Sequence, residues 1–319
     1  MGAIQLTPTP ATAERILHAD AQRVIDAINA FTFETFKTRG GRLGSGMGSL
    51  IEAMWVYYMN GVLQNEGGEA QLCEIAWLQD HEPADFACLT RGANWDPASR
   101  LGELFRIEAK SMNIGVDEAK GHFTNLRSET REYDQLLVLV WSWTTAANQY
   151  VWPRIHDYFL GPALPIIELR DALHRQRGGT FVDAQNCPDG CEPLACTHAG
   201  EPLNAAGKRE RRSGPRTCKP ANVEYAANFG GLIRMLKTDN DSARQRFRDL
   251  RRANPVAHRY ISFIHKHYPA EEVNQYRKAE WQTALRCAGL PTNGESASEA
   301  NAILRQHLPN YQELLRDTF

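Results

Sequence analysis

The sequence predicts an α/β fold in which a mixed sheet is flanked by helices. Three observations lead to this prediction. Two helical segments come first, three short apolar runs separated by turn residues follow, and an amphipathic segment then precedes a wholly apolar run. Runs joined by short turns can form an antiparallel meander, whereas a helix between two strands allows them to pair in parallel. The order helix, three strands, helix, strand therefore indicates a mixed sheet.

Length and composition agree with a globular protein that has a substantial core. The chain has 319 residues, of which 42% are hydrophobic and 23% are charged. These values suit one large domain or two modest ones. No apolar run approaches the ~20 residues that span a bilayer. The first ten residues contain neither the basic nor the apolar part of a secretory signal, so we expect a cytoplasmic protein with no membrane contact.

The first two predicted helices enclose a glycine-rich break. Residues 11–39 carry apolar side chains at helical spacing. Residues 39–48 lack the Gly-Lys-Ser/Thr ending of a P-loop, so we expect a connecting loop, or else a loop that approaches a phosphate backbone. Ser49 is predicted to cap an apolar helix over 50–59, in which Glu52 is the only charge. A lone acid on such a helix faces either solvent or a polar site.

The predicted sheet is built from short apolar runs. Strands are expected over 71–78, 85–90, 103–109 and 135–143, with a further possible strand over 165–169, and a helix is expected over 116–132. Residues 174–220 have almost no apolar periodicity. Beyond them, helices are predicted over 223–237, 242–253, 255–267, 270–288 and 299–315.

One group of charged residues in the predicted strands has the composition of a metal-dependent phosphodiesterase site. Asp85 opens one strand, and Glu108 and Lys110 lie two residues apart on the next, where alternation points them to the same side. Asp85 and Glu108 would hold Mg²⁺, with the carbonyl of Ala109 as a further ligand. Lys110 would orient the attacking water and balance the negative charge.

Two alternatives to this assignment come from the same residues. The Glu-x-Lys pair could be a surface ion pair on an edge strand. Glu103 and Asp96 are competing first acids, but Glu103 lies five residues from Glu108 and points to the opposite side of a straight strand. Asp96 lies in a loop and is the weaker candidate.

Asp85 and the run Glu108-Ala-Lys110, on this order of elements, resemble the PD-(D/E)XK nuclease superfamily, which includes most type II restriction endonucleases. The resemblance covers residues 45–170. Pro83 stands one position further from the acid than in the family pattern. The resemblance implies a PD-(D/E)XK nuclease-like sheet, Mg²⁺-dependent cleavage of DNA, and a role for Glu52 as an outer metal or water ligand, because members carry an acid on the preceding helix.

Cysteine and histidine concentrate in residues 187–218. Cys187, Cys191, Cys196 and His198 could bind one structural Zn²⁺ in a Cys₃His site, and Cys218 could replace the histidine. A metal would explain how a segment so poor in apolar residues folds. The alternative is a loop with free cysteines.

A basic stretch follows the cysteine cluster. Residues 207–259 contain fourteen Lys or Arg against five Asp or Glu, although the whole chain has a net charge of −2. This concentration favours a local contact with a polyanion. The residues expected to contact DNA are Asn204, Lys208, Arg209, Arg211, Arg212 and Arg216. A solvated basic loop is the alternative.

The phrase Cys-x-His-x-Gly-Glu-Pro-Leu-Asn, which begins at Cys196, resembles ApaLI-like restriction endonucleases. That resemblance implies the recognition sequence GTGCAC and a bacterial host whose DNA methyltransferase shares the site. We therefore predict a nuclease core over 1–173, a zinc-stabilised basic insert over 174–220 and a helical region over 221–319 that clamps DNA or forms a homodimer. A structure-specific repair nuclease and a non-enzymatic zinc-containing DNA-binding protein remain alternatives.

Overall fold

The computed structural model describes residues 7–39, 46–79, 84–115, 130–146, 150–176, 241–273 and 275–319, with residues 125, 127, 210, 211, 214, 215 and 232. Contacts divide the chain into two compact units. The first contains Met1–Phe123 and Thr130–Leu164, and the second contains Thr124–Glu129 and Pro165–Phe319.

Two long helices begin the first unit: α1 spans Pro10–Thr35 and α2 spans Met47–Glu66. The Thr9 side chain accepts a hydrogen bond from the backbone N–H of Thr12, and Pro10 occupies a first-turn position where a missing N–H costs nothing. The prediction that Ser49 caps α2 is wrong. The helix begins two residues earlier, and Gly46 precedes it without a side-chain hydrogen bond.

The sheet of the first unit has five strands in the order β1-β2-β3-β4-β5. The strands are Cys73–Trp77, Phe86–Thr90, Glu103–Asn113, Gln135–Thr145 and Val151–Pro162, and a 3₁₀ turn over Ala70–Leu72 precedes the first. Only β3 and β4 pair in parallel among these neighbours. The predicted meander of three strands and the mixed sheet are therefore confirmed. Most of the helix predicted over 116–132, which would form the crossover, lies outside the described residues.

Strand β5 was not predicted. It contains Pro153 and ends with Gly161-Pro162, residues that usually indicate turns. Because β5 lies at the edge of the sheet, Pro153 is tolerated there without an N–H to donate.

The core of the first unit lies between one face of the sheet and the two helices. Alternate residues of β3 and β4 point into it: Phe105, Ile107, Ala109, Leu137, Leu139 and Trp141. They pack against α1 and α2, and all six are at most 3% exposed. The remaining alternate residues of β3, which include Glu108 and Lys110, point to the other side of the sheet.

The elements of the second unit are mainly helical within the described residues. Helix α3 spans Ala163–Gln176 and crosses the boundary of the two units, and strands β6 and β7 (Glu210–Arg211 and Gly214–Pro215) pair with one another. The later helices, numbered α4 to α9 here, are Asp241–Ala253, Pro255–His267, Pro269–Val273, Lys278–Cys287, Ala297–His307 and Tyr311–Thr318.

Three predictions for this part of the chain need correction. Residues 165–169 form a helix and not a strand, because Ile166, Ile167 and Arg170 are buried at helical spacing. The predicted helices over 270–288 and 299–315 are each two helices. The second pair is separated at Pro309, which cannot continue the hydrogen-bond pattern of a helix.

Candidate active site

The structure brings Asp85, Glu108 and Lys110 together where β2 begins beside the middle of β3. Phe86 pairs with Ile107, so Asp85, one residue earlier, stands opposite Glu108. The backbone N–H of Asp85 donates to the carbonyl of Ile107 at 3.1 Å. In return, Oδ2 of Asp85 accepts a hydrogen bond from the N–H of Ala109 at 2.8 Å. These bonds fix the Asp85 carboxylate beside the Glu-x-Lys run.

Lys110 links the two carboxylates. Its Nζ lies 2.5 Å from Oε1 of Glu108 and 3.5 Å from Oδ2 of Asp85. The Glu108 side chain is 10% exposed, whereas those of Lys110 and Asp85 are 31% and 37% exposed. The site is therefore open to solvent at Asp85 and Lys110 and closed around Glu108.

The carboxylates determine the protonation state of Lys110. Burial alone would lower the pKa of this amine, but Glu108, Asp85 and Glu52 together outweigh burial and raise it above the ordinary value. The side chain is therefore a cation at neutral pH.

Glu52 faces this group from α2. Burial raises the pKa of its carboxyl, and the negative charge of Asp85 raises it further, while Lys110 and hydrogen bonds from the side chain and backbone of Ser111 lower it to a smaller extent. Of the two possibilities for Glu52, a polar site is the one that the structure shows.

Gly48 allows α2 to approach β3 at this point. A side-chain carbon at position 48 would collide with Oγ of Ser111. Neither Gly48 nor Ser111 was recognised in the sequence. Gly48 lies within the glycine-rich run and Ser111 directly follows Lys110, but neither position carries a signal until the helix is docked on the strand.

The two competing acids are engaged elsewhere. Glu103 accepts hydrogen bonds from Nε and Nη2 of Arg106 at 2.8 and 3.0 Å and from Nε1 of Trp95 at 3.2 Å. Asp96 accepts from Oγ of Ser99 at 2.5 Å and from the N–H of Ala98. Both carboxylates therefore stabilise the segment that leads into β3.

The metal-binding capacity of the site is that of two carboxylates. Within the described residues, no group of three or more His, Cys, Asp or Glu side chains is arranged to hold a metal ion. Asp85 and Glu108 remain as a pair of oxygen donors, and the backbone of Ala109 lies between them. This donor set fits Mg²⁺, which keeps several waters and is commonly held by one or two carboxylates. It does not fit a structural zinc site.

Several predicted functional residues lie outside the part of the chain whose side chains are described. They are Pro83, the cysteine and histidine residues Cys187, Cys191, Cys196, His198 and Cys218, and the basic and amide residues Asn204, Lys208, Arg209, Arg211, Arg212 and Arg216. The zinc site and the DNA contacts of the insert therefore stay predictions.

Comparisons with known proteins add little to this geometry. No protein-family model matches the chain, and no curated protein matches it. A solved structure that does match is NlaIV restriction endonuclease, at a TM-score of 0.26 and 12% sequence identity, with 93% of this chain and 97% of that chain covered. A score this low carries no argument about fold or function. No described helix is long and apolar enough to cross a membrane.

Proposed function

We propose that this protein is a Mg²⁺-dependent endonuclease that hydrolyses phosphodiester bonds of double-stranded DNA, and that it acts as a type II restriction endonuclease. The observation that carries the proposal is the convergence of Asp85 and Glu108 on the Lys110 ammonium, at the point where β2 begins beside the middle of β3. Two acids and a lysine on adjacent strands are the charged groups that phosphodiester hydrolysis with a metal requires.

Each residue has a definite part in this proposal. Asp85 and Glu108, with the Ala109 carbonyl, would hold the metal, and Mg²⁺ when bound supplies Lewis-acid polarisation of the phosphoryl group and a more acidic water. Lys110 acts as a cation because its pKa is raised. It therefore donates hydrogen bonds to the attacking water and to the developing negative charge, and it does not remove a proton. Glu52 is an outer ligand for water or metal.

The finer parts of the proposal rest on sequence resemblance. A palindromic target is most simply read by a two-fold homodimer, with each active site cutting one strand. The zinc-held insert would present its basic residues to the duplex, and the ApaLI-like phrase suggests GTGCAC as the target. A cognate methyltransferase would then modify the same sequence.

Digestion of a sequenced plasmid with Mg²⁺, followed by mapping of the ends, tests this function. Wild-type protein should give discrete bands. Lys110→Ala should cut about 10² to 10³ times more slowly, as expected when one stabilising group is removed from a transition state. Glu108→Gln should abolish cutting, and both variants should still bind duplex DNA when Ca²⁺ replaces Mg²⁺.

Glu74→Gln is a matched control, because Glu74 lies on β1 of the same sheet and pairs with Arg91 at 3.4 Å, away from Lys110. It should cut at the wild-type rate. Cleavage by Lys110→Ala at the wild-type rate would show that the mechanism is wrong. Cutting of branched DNA alone would indicate a repair nuclease, and tight binding with no cutting would indicate a non-enzymatic DNA-binding protein.

A further inference from the structure

Cations and aromatic rings alternate where the end of α1 meets the start of β5. Nζ of Lys37 lies 4.4 Å from the centre of the Phe33 ring, and that ring meets Trp152 edge to face at 5.3 Å. The guanidinium of Arg154 lies 5.9 Å from the Trp152 ring. We call this group the cation–aromatic surface; it consists of Phe33, Lys37, Arg39, Tyr150, Trp152 and Arg154.

Backbone hydrogen bonds hold the two halves of this surface together. The N–H of Thr38 donates to the carbonyl of Val151 at 2.9 Å, and the N–H of Val151 donates back to Thr38 at 2.7 Å. The guanidinium of Arg39 then lies 5.8 Å from the Tyr150 ring. The surface therefore lies at the edge of the sheet, and these hydrogen bonds fix the backbone that carries its side chains.

The three cations are available to a ligand. Lys37, Arg39 and Arg154 are exposed. Within the described residues, none of the three forms an ion pair with a carboxylate, and their recorded partners are aromatic rings. A cation that rests on a ring keeps its N–H groups and most of its charge for an anion.

Arg154 and Trp152 share a side of the sheet with the candidate active site. Lys110 pairs with Val138 on β4, and the same alternation along β4 leads to Ser142 and Thr144. Ser142 pairs with Arg154, and Thr144 pairs with Trp152.

His156, at the bulge in β5, lies on the same side as Ser142 and Thr144. Its Nε2 lies 2.7 Å from Oγ of Ser142 and 3.3 Å from Oγ1 of Thr144. Asp157 pairs with Val140, which lies between Val138 and Ser142 on β4. This acid is therefore located between the candidate active site and Arg154.

The register of the sheet gives the separation of the two regions. Arg154 lies four residues along β4 and two strands across from Lys110, which corresponds to about 16 Å between Cα positions. Phosphates of one DNA strand recur every ~3.4 Å along the axis, so about five base pairs separate the two points.

We propose that the cation–aromatic surface binds the phosphodiester backbone of duplex DNA, with Arg154 about five base pairs from the phosphate held at Lys110. The proposal rests on the proposed nuclease function and adds a second contact region to it. The aromatic rings hold the cations and need not stack on bases, since Phe33, Tyr150 and Trp152 are themselves half-buried. The contact is independent of base sequence, because phosphates carry no sequence information.

Salt dependence of DNA binding measures these contacts directly. A fluorescent 40-base-pair duplex of mixed sequence is titrated with protein in Ca²⁺ at a series of salt concentrations. A plot of log K against log salt has a negative slope, and each phosphate contact that is lost makes this slope less negative by about 0.9. Lys37→Ala and Arg154→Ala should each change the slope by about that amount, and the double variant should change it by about twice as much. Arg154→Lys, which keeps the charge, should retain the wild-type slope.

Arg15→Ala is the matched control, because Arg15 is exposed near the opposite end of α1. Its slope should equal that of the wild-type protein. The rate of plasmid cleavage should also be unchanged in Arg15→Ala, since this residue belongs neither to the groups around Lys110 nor to the cation–aromatic surface. Thermal unfolding of each variant verifies that the sheet is preserved.

Unchanged slopes in both Lys37→Ala and Arg154→Ala would overturn the proposal, whether or not the protein cuts DNA. Wild-type protein that binds the duplex without cutting plasmid would refute the nuclease function while the slopes still decide the surface. Absence of binding by the wild-type protein would overturn both.

Discussion

At the scale of single residues, the charge of Lys110 decides how the candidate site behaves at neutral pH. Three carboxylates raise the pKa of its amine against the effect of burial, so the ammonium stays protonated. The same charge stabilises the nearby pair Asp85 and Glu108, which would otherwise repel each other. The arrangement therefore needs a cation between the two acids.

Gly48 and Ser111 provide a prediction about how tightly α2 is docked at this site. Gly48→Ala would push Oγ of Ser111 away from Glu52 and remove its hydrogen bond. We expect Gly48→Ala to lower the free energy of unfolding by about 1 kcal/mol more when Ser111 is present than in a Ser111→Ala background. This difference is the usual contribution of one hydrogen bond. The measurement is a double-mutant cycle of unfolding free energies in denaturant. A coupling energy of zero would mean that the helix shifts freely.

Local periodicity decided which residues of the candidate site could be predicted from the sequence. Glu108 and Lys110 are two apart, so strand alternation alone put them on one side. The same rule placed Glu103 on the opposite side, and this was wrong, because the register of β2 and β3 shifts between Cys88 and Leu89. Glu103 pairs with Leu89 and bonds to Arg106 and Trp95, on the side of the sheet that carries Glu108. Gly48 and Ser111 could not be found from the sequence. They lie 63 positions apart in the chain, and their contact depends on how α2 packs on β3, which no local sequence pattern encodes.

At the scale of elements, the edge of the sheet and the later helices were hardest to predict. Strand β5 carries two prolines and a glycine, which are tolerated because it is an edge strand, but its edge position follows from tertiary structure. Helix α3 was mistaken for a strand because a short apolar run has no period of its own, and only the burial of Arg170 beyond it reveals helical spacing.

The contact of α4 with α5 predicts acid sensitivity. Nε of Arg251 on α4 donates a hydrogen bond to Nδ1 of His258 on α5 at 2.7 Å. Burial, and then the positive charges of Arg251 and Arg316, lower the pKa of His258 to about 4. The imidazole is therefore neutral in the folded protein at pH values where it is already charged in the unfolded chain.

A lowered pKa means that His258 stabilises the folded state above pH ~6.5, the value for an unperturbed histidine. This contribution is lost as the pH falls from there to about 4. His258→Gln keeps an acceptor for Arg251 and removes the titration, so its unfolding free energy should fall less over this window than that of the wild-type protein. His307→Gln, an exposed position on α8, is the control. Parallel pH profiles for wild type and His258→Gln would contradict the assignment.

At the scale of the whole molecule, the chemistry of the chain is unevenly distributed. The candidate active site and the cation–aromatic surface both belong to the first unit, whereas the predicted zinc ligands and the basic insert belong to the stretch 174–220. Composition alone could identify that stretch, because it lacks apolar periodicity and concentrates cysteine. It could not determine a structure there, since cross-linked segments fold through their ligands and not through a pattern of buried side chains.

Metal content tests that part of the prediction. Protein purified without chelator should contain about one zinc per chain, since a Cys₃His site binds Zn²⁺ tightly enough to retain it. Cys187→Ser and Cys191→Ser should lower the zinc content. Cys287→Ser is the matched control, because Cys287 is an exposed free cysteine on α7 and should leave the zinc content unchanged.

Removal of the metal should then expose the insert to protease, because a segment with so few apolar residues has little else to fold against. Trypsin should cut at Lys208 to Arg212 faster after treatment with a zinc chelator, and added Zn²⁺ should restore protection. The Cys187→Ser protein should be cut at the fast rate with or without chelator. Protein that carries no zinc, or cutting rates that chelator leaves unchanged, would contradict the zinc site.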